Sequence, residues 1–228
     1  MKRLFPLFAV FFFLFPVSSL FSSEFDDVKP EITLPRLAQP PELEDFLSMA
    51  PGSEVARKMA KVEGFIQQQP KDGEPATQRT VVYLGYDDKN LYAVFVGFDR
   101  EPDKVRARLA RRENVFRDDI VEIMLDTFHD RRRAYVFVCN PLGVQWDALW
   151  TEGSRFDGSF DTLWYSKGKK TPQGFVVWMA IPFKSLRFPA SEQQDWGVIL
   201  LREIQRGSSE QVFWPRVSSR IEGRLNQA

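Results

Sequence analysis

The chain has 228 residues, with 31 Lys+Arg balancing 31 Asp+Glu, one histidine and one cysteine. Hydrophobic residues make up 43% and charged residues 27%, which excludes a disordered chain, a collagen and a disulfide-stapled mini-protein. The zero net charge argues against a dedicated nucleic-acid binder, which carries a basic excess.

The chain opens on Met1-Lys2-Arg3, then an uncharged apolar run from Leu4 to Val17, then Ser18, Ser19, Ser22 and Ser23. A basic start, an apolar centre and a small-residue exit predict a secretory signal peptide over 1–23, cleaved after Ser19 or, alternatively, Ser22 or Ser23. The apolar run is shorter than the ~20 residues a membrane span needs, and Pro6 and Pro16 weaken it as a helix. Cleavage leaves 29 basic against 31 acidic groups. Export to the periplasm, outer membrane or cell surface is expected. Cys139 has no partner for an internal disulfide, so the core must supply the stability.

Residues 24–41 are polar and dotted with proline, and read as an extended linker or edge segment. Residues 42–228 read as one domain. Leu43 to Phe46 and Glu54 to Val62 look weakly helical, and Gln67 to Thr77 reads as a loop. From Thr80 the period becomes two. Thr80–Tyr86 and Leu91–Phe98 flank the turn Asp87-Asp88-Lys89-Asn90, a β-hairpin with both faces apolar. Pro102 to Arg112 is the best helix candidate, with Asp99 as cap and Pro102 in the first turn.

Ile120–Thr127 reads as a strand with Val121, Ile123 and Leu125 on one face. Glu122 and Asp126 share the other, expected to be solvated. Ala134–Cys139 and Val144–Trp150 flank the turn Asn140-Pro141-Leu142-Gly143. Leu163–Lys167, Gly174–Phe183, Trp196–Ile204 and Val212–Trp214 complete the strands. Many short strands with turns between them predict an all-β fold, a two-sheet antiparallel β-sandwich with one or two short helices.

Catalytic and metal chemistry find little support. His129 and Cys139 cannot build a zinc cluster, and no nucleophile elbow or phosphate loop occurs. Glu122 and Asp126 stand four residues apart, about 13 Å on a strand, wider than the paired carboxylates of glycosidases. No metal is assigned. Calcium stays possible at Asp87-Asp88, Asp118-Asp119 or Asp157/Asp161, although none matches a fixed loop pattern. Arg106, Arg108, Arg111 and Arg112 on the helix candidate, and Arg131 to Arg133, read as a solvated surface or as a contact to a partner or an anionic glycan.

The tryptophans point to carbohydrate. Trp146 and Trp150 share one face of their strand, with Ala148 between them. About 13 Å apart, their rings could contact two successive sugar units. Asp147 points to the opposite face, so polar partners would come from the loop 151–162, with Asp157 and Asp161 first, and Trp164 could close the far side. The alternative is that both rings fill a core beneath that loop. Trp178 and Trp196 read as core.

Several segments in order resemble carbohydrate-binding module family 9. These are Pro75-Ala76-Thr77-Gln78-Arg79-Thr80, Tyr86-Asp87-Asp88-Lys89-Asn90-Leu91-Tyr92, Asp118-Asp119-Ile120-Val121-Glu122, Leu125-Asp126-Thr127-Phe128, and Gly174 through Phe183. Asn140-Pro141-Leu142-Gly143-Val144-Gln145 and Ser185-Leu186-Arg187-Phe188 are similar to the form that precedes a predicted barrel in bacterial outer-membrane proteins. The resemblance implies a sandwich without catalytic residues of its own, carbohydrate as ligand, and an outer-membrane β-barrel as a possible partner. The alternative is a structural or docking domain without a sugar ligand. Two departures stand out. The family's opening Trp is missing between Pro41 and Phe65, and Trp178 occupies a carboxylate position.

Overall fold

The computed structural model describes residues 29–154 and 156–228. The leader, its cleavage points and the first residues of the linker lie outside them. Eleven antiparallel strands form two sheets among the described residues. The first sheet contains β1 (Ala60–Val62), β3 (Thr80–Tyr86), β4 (Asn90–Phe98), β9 (Gly174–Pro182) and β8 (Tyr165–Thr171), in that order. The second contains β2 (Ile66–Gln69), β11 (Ser209–Trp214), β10 (Gly197–Gln205), β5 (Ile120–Asp126), β6 (Arg133–Cys139) and β7 (Gln145–Thr151). The expected all-β sandwich is what the chain forms.

The central strands of each sheet are buried on both faces, which makes three apolar layers. Between the sheets lie Val82, Leu84, Phe95, Val177 and Met179 of the first, against Val121, Ile123, Phe137 and Leu200 of the second. The outer face of the first sheet (Tyr83, Tyr92, Val94, Trp178) is covered by Leu37, Phe46, Val55 and Met59 from the N-terminal segment. The outer face of the second (Met124, Val136, Ala148, Ile199, Phe213) is covered by Val115 and by Val217 and Leu225. Double-sided burial explains why β3, β4 and β9 read as continuous apolar runs.

The N-terminal cover is mostly irregular. A single 3-10 turn, Leu43–Phe46, and a five-residue helix, α1 (Glu54–Lys58), are its regular parts. Ser53 caps α1 by accepting from the Ala56 N–H at 3.1 Å. The expected helix over Glu54–Val62 stops early, because Ala60–Val62 pairs with β3. Extended residues ahead of it pack on the sandwich, where the Leu37 N–H donates to the Tyr86 carbonyl at 2.7 Å and the Tyr86 N–H donates to the Pro35 carbonyl at 3.1 Å. Gln67 to Gln69, expected to open a loop, belong instead to the edge strand β2, paired with β11.

Two further expectations are corrected. Pro102 to Arg112 is not a helix, since only the 3-10 turn Pro102–Lys104 forms there. The segment has no apolar stripe to bury: Val105 points inward, but Leu109 is 86% exposed. Asp99 does not cap a helix either. It is buried, accepts from the Glu101 N–H, and pairs with Arg202 and Arg206. Glu122 and Asp126 are the second correction. Their strand face is covered, not solvated, and Glu122 is only 4% exposed.

Candidate aromatic platform on the outer face of the second sheet

Strand register fixes the site. Phe213, Leu201, Glu122, Val138 and Trp146 stand in one row across β11, β10, β5, β6 and β7. The next row but one along β7 carries Trp150, opposite Ala134. Trp146, Ala148 and Trp150 therefore share the outer face, as alternation predicts. The rings of Trp146 and Trp150 are half-buried at the margin of that layer.

Two exposed phenylalanines complete the patch. Phe116 stands edge-on to Trp146 with centroids 4.8 Å apart. Phe156 approaches Trp146 at 5.5 Å and Trp150 at 4.8 Å. Phe116 is 51% exposed and Phe156 38%. The loop is drawn to this place by a two-way backbone bridge between Leu149 and Asp157 at 3.1 and 2.8 Å. The bridge seats Phe156 between the two indoles. The loop backbone at Gly158 also passes Trp146, near enough that a Cβ there would meet its ring at ordinary contact distance, 3.8 Å.

Arg224 lies over the middle of the face. Its guanidinium sits 5.2 Å from the Trp150 ring centroid and 5.3 Å from that of Phe213. Glu152 holds it there. Its carboxylate accepts the Arg224 N–H at 3.0 Å, the Leu225 N–H at 2.7 Å and the Trp150 indole N–H at 3.4 Å. Burial pushes the Glu152 carboxyl up, but the N–H donors of Leu225 and Arg224 outweigh it and leave it below the usual carboxylate range. Below Arg224, Glu122 Oε1 is buried without a hydrogen-bond donor and stands 3.9 Å from the guanidinium. Burial raises its pKa to about 7, against the pull of Arg224 and with a push from Glu203.

The residues expected from sequence divide. Trp146 and Trp150 belong to the platform, although Arg224 takes one face of Trp150. Asp157 lies beside them, but its carboxylate accepts from the N–H and hydroxyl of Ser159 in its own turn. Asp161 pairs with Arg112 at 2.9 Å, and Arg112 also binds Asp147 on the strand's other face. Trp164 is not on this face. At 3% exposed, it packs on Phe137 between the sheets. Trp178 is buried under the N-terminal cover, donating to the Pro41 carbonyl at 2.8 Å, and Trp196 is half-buried against Phe183 and Phe188. Phe116, Phe156, Glu122, Glu152 and Arg224 went unseen as site residues. An aromatic residue inside a charged or Gly/Ser-rich stretch was the only signal available for the two phenylalanines.

No three His, Cys, Asp or Glu side chains group to hold a metal ion among the described residues. Asp87 bonds within its turn and to Tyr92, and Asp118 binds Arg108 and Asn140. A cleft of about 890 Å³ lies elsewhere, lined by Phe65, Arg79, Phe98, Arg100 and Gln173.

No family model matches the sequence, and no curated protein matches it. Solved structures do match in fold. One is a carbohydrate-binding module family 9 from Caldicellulosiruptor kristjanssonii in complex with cellotriose. It has 16% identity and a TM-score of 0.54, over 78% of this chain and 82% of that one. A family 9 module from the same organism in complex with glucose aligns at 14% identity and TM-score 0.53, over 79% and 84% of the two chains. A candidate carbohydrate-binding protein from Bacteroides uniformis aligns at 13% identity and TM-score 0.59, over 80% and 88%. The chain has a family 9-like fold. Its platform lies on one outer face of that fold, the face of the second sheet that also carries Ile120, Glu122 and Met124 of β5.

Proposed function

We propose that this protein is an exported, non-catalytic carbohydrate-binding module. One observation carries the reading: Trp146, flanked by the exposed rings of Phe116 and Phe156, shares an outer sheet face with the half-buried Arg224, which stacks on Trp150. Flat apolar rings suit the C–H faces of a pyranose, and a guanidinium offers several donors to hydroxyls. The three fold neighbours support the same class of ligand. Glu122 serves the site from beneath, as the one acid facing Arg224 in the row that ends at Trp146.

Isothermal titration against a panel of oligosaccharides, chosen from a glycan array, tests the reading. Wild type should bind at least one, and Trp146→Ala should abolish that binding while the chain still melts cooperatively. Full binding by a folded Trp146→Ala variant would overturn the platform. Hydrolysis of a chromogenic glycoside panel would overturn the non-catalytic part. Export is supported by the basic, apolar and small-residue order of residues 1–23. N-terminal sequencing of the expressed protein should find the leader gone, and its retention would refute export.

A further inference from the structure

The chain bordering the platform is basic. Between Val105 and Asp119 stand Arg106, Arg108, Arg111, Arg112 and Arg117, against Glu113, Asp118 and Asp119. Asp118 is buried and taken by Arg108 at 2.8 Å, and buried Asp119 accepts the Gln205 N–H at 3.0 Å. Arg112 is taken by Asp147 and Asp161. Arg106, Arg111 and Arg117 remain exposed and outside any ion pair among the described residues. The segment is seated on the start of β7, where the Glu113 N–H donates to the Gln145 carbonyl at 2.9 Å. It also supplies Phe116, which touches Trp146.

Arg224 adds a cation from the other side. Its charged neighbour, Glu122, is 3.9 Å away, beyond hydrogen-bond range, and its other partners are the Met124 sulfur at 3.9 Å and two ring faces. Among the described residues, a guanidinium so placed has no strong acceptor within hydrogen-bond range. A neutral sugar would leave the field of the rim unused, whereas an acid group would make charge-assisted hydrogen bonds with it.

We infer that the ligand of this platform is an acidic saccharide, carrying carboxylate or sulfate groups that Arg224 binds and that Arg111 and Arg117 attract at the rim. The inference rests on the reading of Trp146 as a sugar platform.

Titration of the full chain with a uronate oligosaccharide, a sulfated one and a neutral one of equal length tests it. At about 50 mM salt the acidic ligands should bind at least ~10-fold more tightly than the neutral one. The gap should shrink at about 500 mM, where screening is far shorter-ranged. Comparing uronate with sulfate identifies the acid. The exposed pair Arg111→Ala/Arg117→Ala should narrow the gap, and Trp146→Ala should remove binding of every ligand. Equal affinity for neutral and acidic ligands overturns the inference and leaves the platform standing. An acidic preference that survives in Trp146→Ala overturns it too, as attraction to charge elsewhere on the surface. Failure of all three ligands to bind overturns the inference and the platform reading together.

Discussion

Arg224 stacks over Trp150 with its guanidinium 5.2 Å from the ring centroid, although the two residues are 74 positions apart in the chain. The contact joins the last segment of the chain to the edge strand β7. It makes the outer face of the second sheet a mixed surface, apolar at the rings and cationic at its centre.

Glu152 is the clasp that maintains this contact, because one carboxylate accepts both the Arg224 and the Leu225 N–H groups. In Glu152→Ala those two amides should lose their protection against hydrogen exchange, while amides of β4 and β9 keep theirs. The stability cost should be about 1–3 kcal/mol, typical of a lost charged acceptor. Unchanged exchange at 224 and 225 would show that Leu225 burial alone holds the segment.

The four tryptophans at 146, 150, 164 and 178 separate by burial. Trp164→Ala should cost about 3–5 kcal/mol in denaturant unfolding, because its ring fills the layer between the sheets. Trp164→Phe should cost far less, since the indole N–H is buried without an acceptor and the smaller ring can still meet Phe137. Trp146→Ala should cost roughly half as much as Trp164→Ala, as a half-buried ring loses less area. A Trp146→Ala penalty equal to that of Trp164→Ala would mark its ring as core.

Alternation along β7 was legible because period two is local, and it placed Trp146 and Trp150 together with Asp147 behind them. The fate of Glu122 was not. A strand reading Ile-Val-Glu-Ile-Met-Leu-Asp looks half-solvated until the segment carrying Val217, Arg224 and Leu225 folds over it, some 95 to 103 positions later. The helix assigned to Pro102–Arg112 failed for a related reason. Local cap signals were present, yet helices are stabilised mainly by an apolar face that packs, and exposed Leu109 provides none. Phe116 and Phe156 lie in stretches without any period, so only the tertiary fold could bring them to Trp146.

Arg202 is fully buried between the sheets. Its guanidinium donates to the Phe98 carbonyl at 2.8 Å, the Arg79 carbonyl at 3.2 Å and Asp99 at 3.3 Å. Breaking such a pair from one side leaves an uncompensated charge. Asp99→Ala and Arg202→Ala should each cost about 3–5 kcal/mol. The double variant Asp99→Ala/Arg202→Met should cost less than the sum of its two single changes. Strictly additive losses in denaturant unfolding would show the two residues to be uncoupled.

Glu122 sets a pH dependence whose sign can be worked out. Its pKa is raised to about 7 in the folded chain, first by burial and then by Glu203, against Arg224. Unfolded, a glutamate titrates near ~4.3. Between those values the folded chain binds the extra proton, so its stability falls as pH rises through that window. The contribution is complete below about pH 4, and lost above about pH 7. Glu122→Gln removes the ionisation and keeps the shape. The variant should match wild type in acid and become more stable than it as pH rises, by up to about 3 kcal/mol above pH 7. Unfolding midpoints at pH 5, 6, 7 and 8 check this. A difference between the two proteins that stays flat across the series would mean that Glu122 remains ionised in the fold, with Arg224 neutralising it.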